Sequence, residues 1–207
     1  MSKLDPEFYP EGRRKELFPH LYPPQPKPPA VKKPSTVVAA AVQPSAGATR
    51  AVVWKTVTLG LRSSIEEYRA AFKKAGVKVT PEASYIMRQT PYSAQGGQEL
   101  DLVRVSVAQL GFTGWTQYDD ILCRAKERGY DPCPAEAALA LRLFYTDQPM
   151  DECLTVVMEA LSGSDGDPSV FKLGRDDDGL WVDDGWADPG NVWYPDDKFV
   201  FRLRKSR

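Results

Sequence analysis

Proline sets the strongest limit on how this chain can fold. Seven prolines lie between Pro19 and Pro34, and ten of the 18 prolines fall within the first 50 residues. Proline fixes φ and removes the amide donor, so this run favours extended polyproline II over helix or sheet. Residues 35–49 are rich in Ser, Thr, Ala and Val and indicate a linker. We therefore predict a disordered, flexible Pro-rich arm and linker over residues 1–50, followed by a single domain over residues 51–207.

Large apolar side chains accompany the charges of the arm. A short helix over residues 11–18 would bring Arg14, Leu17 and Phe18 together at three- and four-residue spacing. Aromatic anchors followed by polyproline are typical of a segment that orders on a partner surface. The residues expected to bind a protein partner are Phe8, Tyr9, Arg14, Leu17, Phe18 and Tyr22. Packing of the arm on its own domain, and a tail without a partner, are the alternatives.

Charge is unevenly distributed along the chain. The first 50 residues contain eight Lys or Arg against four Asp or Glu, so the remainder carries a net charge of −5 within a total of −1. A domain that binds nucleic acid needs a clustered basic surface. We therefore do not expect binding to a phosphate backbone to be the main function.

The cysteines and the short apolar runs bear on the compartment. Cys123, Cys133 and Cys153 form neither an even set nor a CxxC pair, which indicates a reducing environment. The longest candidate apolar run, residues 37–42, is far too short to span a bilayer or to serve as a signal peptide. These features predict a cytoplasmic protein that does not bind a membrane.

Local patterns in the domain predict an α+β fold, with helices and two strands first and an antiparallel β meander last. Residues 51–59 and 100–107 alternate as strands. Three helix starts are predicted at Ser63 or Ser64, at Thr80 and at Thr116, and a fourth helix covers residues 133–145. The meander strands are predicted at residues 154–158, 170–173, 180–182 and 199–203.

Few catalytic groups are available to this domain. The only histidine is His20, within the arm, which excludes a Ser-His-Asp triad, a Cys-His dyad or a multi-histidine metal site from the domain. Neither GxxxxGK[ST] nor GxGxxG occurs. The cysteines lack the paired spacing of a zinc site, and Cys133, at a predicted helix start, has no histidine to activate it. We expect no catalytic residue and no cofactor, and we favour a protein that is not an enzyme.

Closely spaced carboxylates mark the C-terminal segment. Asp165 and Asp167, and likewise Asp176 and Asp178, are weak candidates for a Ca²⁺ or Mg²⁺ loop. Neither pair follows the twelve-residue calcium-loop pattern, and Asp-Gly sequences are first of all hairpin turns. The pattern therefore predicts turns and no metal site.

Aromatic residues are interleaved with those acids. A surface that stacks a sugar or holds a cationic group would use both kinds of side chain. The residues of this possible ligand site are Trp181, Trp186, Trp193, Tyr194 and Asp183. Packing of the rings in the core of a small sheet is the alternative. Adjacent acids of a strand point to opposite faces, so Asp183 and its neighbour Asp184 are not themselves a catalytic pair.

Four strings of the domain resemble a family of uncharacterised bacterial proteins. They are LVRVSVAQLGF at residues 102–112, CPAEAALALRLFYTDQP at residues 133–149, and the closing DDGLW and DDKFVF strings. The resemblance covers roughly residues 55–205. It implies a self-contained domain with a variable arm, and it transfers no activity, cofactor or site residue.

Two functional hypotheses follow from these observations. The first is a non-enzymatic interaction or assembly protein whose N-terminal arm docks on a partner, because the arm has anchors and the domain lacks the common catalytic motifs. The second is a ligand-binding module, or an acid-dependent hydrolase, that uses the Trp- and Asp-rich C-terminal segment to hold a carbohydrate or a cationic ligand.

Overall fold

A mixed sheet and four helices make up the part of the chain that this computed structural model describes, residues 52–93, 96–188 and 191–205. The helices are α1 Ile65–Ala75, α2 Pro81–Met87, α3 Tyr118–Glu127 and α4 Glu136–Phe144, and a short 3₁₀ turn covers Ala108–Leu110. The strands are β1 Lys55–Leu59, β2 Lys78–Val79, β3 Gln98–Ser106, β4 Thr116–Gln117, β5 Tyr130–Asp131, β6 Cys153–Val156, β7 Leu161–Ser162, β8 Pro168–Asp176, β9 Gly179–Trp186, β10 Val192–Trp193 and β11 Lys198–Leu203. The predicted mixture of helices and strands is confirmed.

The main sheet has the order β1-β3-β11-β6-β8-β9-β2, while β5 also pairs with β11 and β7 with β8. The strands β6, β8 and β9 run antiparallel in succession. The last strand, β11, lies between β3 and β6 and runs parallel to β6. A simple antiparallel meander is therefore not confirmed, because the final strand returns to the middle of the sheet. The strands β4 and β10 form a separate two-stranded ribbon.

Each face of the main sheet packs against different elements. Directly paired residues share a face, so Lys55 lies beside Leu102, and Arg104 lies beside Val200. On this face α4 packs against β1, β8 and β9. On the opposite face the ring of Phe199 contacts Tyr118 of α3, at a centroid distance of 6.2 Å. Phe199 and Val200, on opposite faces of the central strand β11, are both fully buried.

Two charged side chains are fully buried on α4. The Glu136 carboxylate accepts hydrogen bonds from Gly60 N, Tyr68 Oη and Ser93 N, at 2.9, 3.0 and 2.9 Å. The Arg142 guanidinium donates to a Gln148 side-chain oxygen and to two main-chain carbonyls. Burial lowers the pKa of Arg142 to about 10. Since buried charges need partners, these two networks tie α4 to the loops around it.

Two of the predicted helix starts are confirmed. Ser64 accepts a hydrogen bond from Glu67 N at the start of α1, and Thr80 accepts one from Ala83 N at the start of α2. The helix α1 ends at Gly76, whose φ of 68° lies in the left-handed region that glycine favours. Local capping chemistry was therefore sufficient to locate these two helices.

Two other predicted starts are wrong. The N-cap of α3 is Gln117, because Thr116 belongs to β4, where it pairs with Trp193 and its hydroxyl donates to Gly114 O. The helix α4 begins only at Glu136, because Cys133 forms a parallel bridge with Met158. In both places pairing with a distant strand decides the local structure.

No helix in the described ranges is long and apolar enough to cross a membrane.

Candidate anion-binding site

The predicted Trp and Asp residues on β9 are divided between its two faces. Trp181 and Asp183 share one face because they are two residues apart, and Trp186 lies on the other. The Trp181 indole covers Gly174 so closely that a Cβ there would lie 1.9 Å from the ring. Asp183 accepts a hydrogen bond of 2.6 Å from the Thr80 hydroxyl. Both side chains thus make contacts within the domain.

The two predicted aromatic residues near β10 have different environments. Trp193 is only 8% exposed, and its ring lies 4.9 Å from Phe199. Tyr194 is exposed and contacts Trp115. The five residues of the predicted ligand site therefore do not form one continuous surface.

The candidate metal-binding aspartates lie in turns. Asp165 Oδ1 accepts a hydrogen bond from Asp167 N at 3.1 Å, and Asp176 Oδ1 accepts one from Asp178 N at 2.9 Å. Asp178 also pairs with Lys78 at 3.0 Å. Within the described ranges, no three Asp, Glu, Cys or His side chains are grouped to hold a metal ion. These local bonds are the ones that Asx turns use.

All three cysteines are free thiols; Cys133 is buried, and Cys123 and Cys153 reach the surface. The partner-binding residues predicted in the arm, Phe8 to Tyr22, lie outside the described residues.

A buried carboxylate, Glu152, is the centre of a cluster that sequence analysis did not detect. Its side chain is 3% exposed. One oxygen, Oε1, accepts hydrogen bonds of 2.9 Å from Arg104 Nη1 and of 2.9 Å from Lys198 Nζ. The other, Oε2, accepts a hydrogen bond of 2.8 Å from the Tyr145 hydroxyl. Strands β3 and β11 and the segments flanking β6 and α4 thereby meet at one polar point.

A third cation and several rings adjoin Glu152. Lys55 Nζ lies 4.5 Å from the centroid of the Tyr145 ring and 5.4 Å from that of Trp54. The Arg104 guanidinium lies 4.9 Å from the Trp54 ring, which meets Tyr145 edge-on at 5.0 Å. Aromatic faces attract cations, so the rings hold these side chains in place. We call Lys55, Arg104, Lys198, Tyr145 and Glu152 the cationic cluster.

The protonation states in the cationic cluster are well defined. Burial acts to raise the pKa of Glu152, but hydrogen bonds from Lys198 and Tyr145 and the charge of Arg104 hold that pKa below its usual range. Burial, together with the hydrogen bond to Glu152, raises the pKa of Tyr145 to about 12. At neutral pH Glu152 is therefore ionised and Tyr145 is neutral.

Positive charge is in surplus at this cluster. Among the described residues, the three cations pair only with Glu152 and with Asp147, which lies 3.7 Å from Lys55 and has a side chain that is 80% exposed. Arg104 and Lys198 are partly exposed, and each has more N–H donors than the one that it donates to Glu152. The surrounding domain is acidic overall. The cluster therefore offers a localised positive site with converging donors.

The cationic cluster has no local sequence motif, because its members are spread from residue 55 to residue 198. One signal was available. Lys55 and Arg104 both lie in predicted strands. Because side chains alternate, Arg104 is on the same face as the buried Leu102, opposite to Val103 and Val105. A cation on a buried side of a strand indicates a polar partner.

Comparisons with protein-family models, with curated proteins and with solved structures find no significant match to this chain. The family resemblance therefore rests on the sequence strings that suggested it.

Proposed function

We propose that this chain is a non-enzymatic interaction protein whose folded domain binds acidic side chains of a partner protein at the cationic cluster. The observation that carries the proposal is the convergence of Arg104 and Lys198 on one buried carboxylate, with Lys55 over the ring of Tyr145, which donates to the same carboxylate. Lysine and arginine donate strong hydrogen bonds to carboxylates, and the strength rises where the site is partly shielded from water.

The rim of the cluster supports a protein partner. Phe144, whose ring lies 5.4 Å from Lys55 Nζ, is exposed, and so is Met150. Large exposed apolar side chains beside charged groups are common in protein interfaces. An acidic segment with an apolar side chain would use both parts of this surface.

The protonation states favour binding over acid–base chemistry. Glu152 is ionised and already accepts three hydrogen bonds, so it is a poor general acid and a poorly accessible base. Tyr145, with its raised pKa, holds its proton at neutral pH. An effective general acid or base has a pKa near the working pH, which these groups do not.

The arm is the second part of the proposed interaction. Its aromatic anchors and prolines support docking on a partner, and the three free cysteines support a cytoplasmic setting. Deletion of residues 1–50 is then expected to reduce co-purification of the partner.

A ligand-binding role for the C-terminal segment, or acid-dependent hydrolysis there, is the second candidate. It is supported by Trp181 and Asp183, which share one face of the sheet with Lys172. The change Trp181→Ala should then abolish binding in a screen of glycans and organic cations. If that variant unfolds and the wild-type chain binds nothing in the screen, this candidate fails.

The proposed anion site can be tested by NMR titration of the ¹⁵N-labelled full chain with a hexaglutamate peptide. We expect amide shifts that cluster at Lys55, Arg104 and Lys198 and that weaken as salt rises. The change Lys55→Gln should reduce affinity about threefold to tenfold, because it removes one positive charge from the site. Lys55 is not a hydrogen-bond partner of Glu152, so this change leaves the hydrogen bonds of Glu152 intact.

Two controls make the test specific. Lys78→Gln removes an exposed cation of β2 that pairs with Asp178, and it should leave affinity unchanged. A titration with inorganic phosphate distinguishes a site for small free anions from a site for an acidic peptide segment. Shifts confined to the arm, equal loss in both lysine variants, or tighter binding of phosphate than of the peptide would each contradict the proposal.

A further inference from the structure

An exposed aromatic pair stands on the ribbon formed by β4 and β10. In that ribbon Thr116 pairs with Trp193, and both are buried. The next residues along the same register are Trp115 and Tyr194. Since side chains alternate along a strand, these two lie on the outer side of the ribbon. Each is 46% exposed, and their ring centroids are 5.3 Å apart at an interplanar angle of 68°.

The position of this pair is fixed by a tight turn. Tyr194 N donates to Asp197 Oδ2 at 2.7 Å, and Asp197 N donates back to Tyr194 O at 3.0 Å. The turn also contains Asp196, so two carboxylates lie within three residues of Tyr194. Negative charge and two angled rings therefore lie close together at this turn.

The polar tips of the two rings are available to a ligand. Within the part of the chain that the structure describes, neither the Trp115 indole N–H nor the Tyr194 hydroxyl makes a hydrogen bond. Both groups are donors. An exposed pair that combines apolar faces with unused donors is suited to a ligand that is apolar and rich in acceptors.

We propose that Trp115 and Tyr194 form a docking site for a proline-rich segment that carries a lysine. Polyproline II has three residues per turn and leaves its carbonyl groups free of internal hydrogen bonds. Its proline rings can pack against the exposed faces of angled aromatic rings, and its carbonyls can accept from the ring donors. The lysine is attracted by Asp196 and Asp197. Trp115 and Tyr194 are not members of the cationic cluster, and this docking site goes beyond the function proposed above.

The sequence of the chain itself contains a segment with this chemistry. Pro23, Pro26 and Pro29 recur at three-residue spacing, the repeat of one edge of a polyproline II helix, and Lys27 lies among them in the sequence. A peptide of residues 20–34 is therefore the natural probe. A preformed extended ligand loses little conformational entropy on binding, so a few such contacts suffice for measurable affinity.

Fluorescence anisotropy of the labelled peptide tests the proposal. The receptor is the full chain with Pro23, Pro26 and Pro29 changed to Ala, so that only the peptide carries the three-residue proline spacing. We expect saturable binding that weakens at least tenfold with Trp115→Ala or Tyr194→Ala. Tyr194→Phe should weaken it a few-fold, because it removes only the hydroxyl.

Matched controls separate docking from unfolding and from charge. Tyr85→Ala removes an exposed aromatic ring from α2 and should leave binding unchanged. Peptides with alanine at the three proline positions, or with Lys27→Gln, should bind more weakly. Thermal unfolding of each variant verifies the fold. Absence of peptide binding, equal affinity in the Trp115 and Tyr85 variants, or binding of an oligosaccharide in place of the peptide would overturn the proposal.

Discussion

The hydroxyl of Tyr145 donates a hydrogen bond of 2.8 Å to Glu152 Oε2. Tyr145 follows α4 directly, and Glu152 directly precedes β6. The bond closes the loop between a helix on one face of the sheet and a strand in its middle. It also orients the carboxylate so that its other oxygen meets Arg104 and Lys198. The fold and the cationic cluster thus depend on the same contact.

Removal of the Tyr145 hydroxyl should destabilise the domain while the other side chains of the cationic cluster keep their positions. In Tyr145→Phe the ring remains for Lys55 and Trp54, but a buried carboxylate oxygen loses a donor. We expect a loss of about 2 kcal/mol in the free energy of unfolding, measured with urea. Tyr85→Phe, at an exposed position, is the control and should change it by much less.

Stability should fall in acid partly through Glu152. Its pKa is lower in the folded chain than in the unfolded chain, where a glutamate has a pKa of about 4.3. As pH falls toward these values, the unfolded state therefore binds more protons than the folded state, and stability decreases. The stabilisation by ionised Glu152 is fully present above the pKa of the unfolded state, and it is lost as pH falls through the pKa of the folded state. We expect Glu152→Gln to be less stable at pH 7 and to lose less further stability on acidification, measured by urea unfolding from pH 7 to pH 3.

A wild-type acid limb no steeper than that of Glu152→Gln would contradict this prediction. Asp131, whose pKa is lowered chiefly by its hydrogen bonds with Arg204, also contributes to that limb and remains in both proteins. The difference between the two curves therefore isolates Glu152.

The contact of Trp181 with Gly174 should not tolerate a methyl group. The change Gly174→Ala places a Cβ inside the indole ring and is expected to cost about 2 kcal/mol or more in unfolding free energy. In a Trp181→Ala background the same change should cost much less, because the obstructing ring is gone. A double-mutant cycle measured by urea unfolding gives this coupling, and additive effects would rule out the contact as the cause.

The three thiols should react at different rates with a disulfide reagent. Cys123 is exposed on α3 and should be labelled first. Cys153 reaches the surface but is closely surrounded, and this burial raises its pKa, so its labelling should require higher pH. Burial raises the pKa of Cys133 to about 12, and labelling there should follow unfolding. Mass spectrometry of peptides after timed labelling checks the order, and early modification of Cys133 would contradict it.

Local chemistry accounts for the parts of the fold that sequence analysis predicted. Ser64 and Thr80 cap helices with hydrogen bonds to residues three positions away, and such bonds depend on neighbours in the chain. The Asp-rich turns are of the same kind, since each is closed by a bond between residues two apart. These features required no knowledge of the rest of the molecule.

The short strands and the cationic cluster could be located only from the tertiary structure. Two-residue strands such as β4 and β10 have no recognisable periodicity, and they form because each pairs with the other across 75 or more residues. Likewise, β11 lies between β3 and β6 only because a buried hydrophobic strand needs neighbours on both sides.

The proline pattern, the helix caps and the charge division were decided by the order of the residues, since their causes are steric or span one helical turn. The meeting of Tyr145 with Glu152, and of Trp115 with Tyr194, was decided by the tertiary structure. Distant side chains become neighbours only when strands pair and the core excludes water, and burial then sets the pKa and the partners of each group.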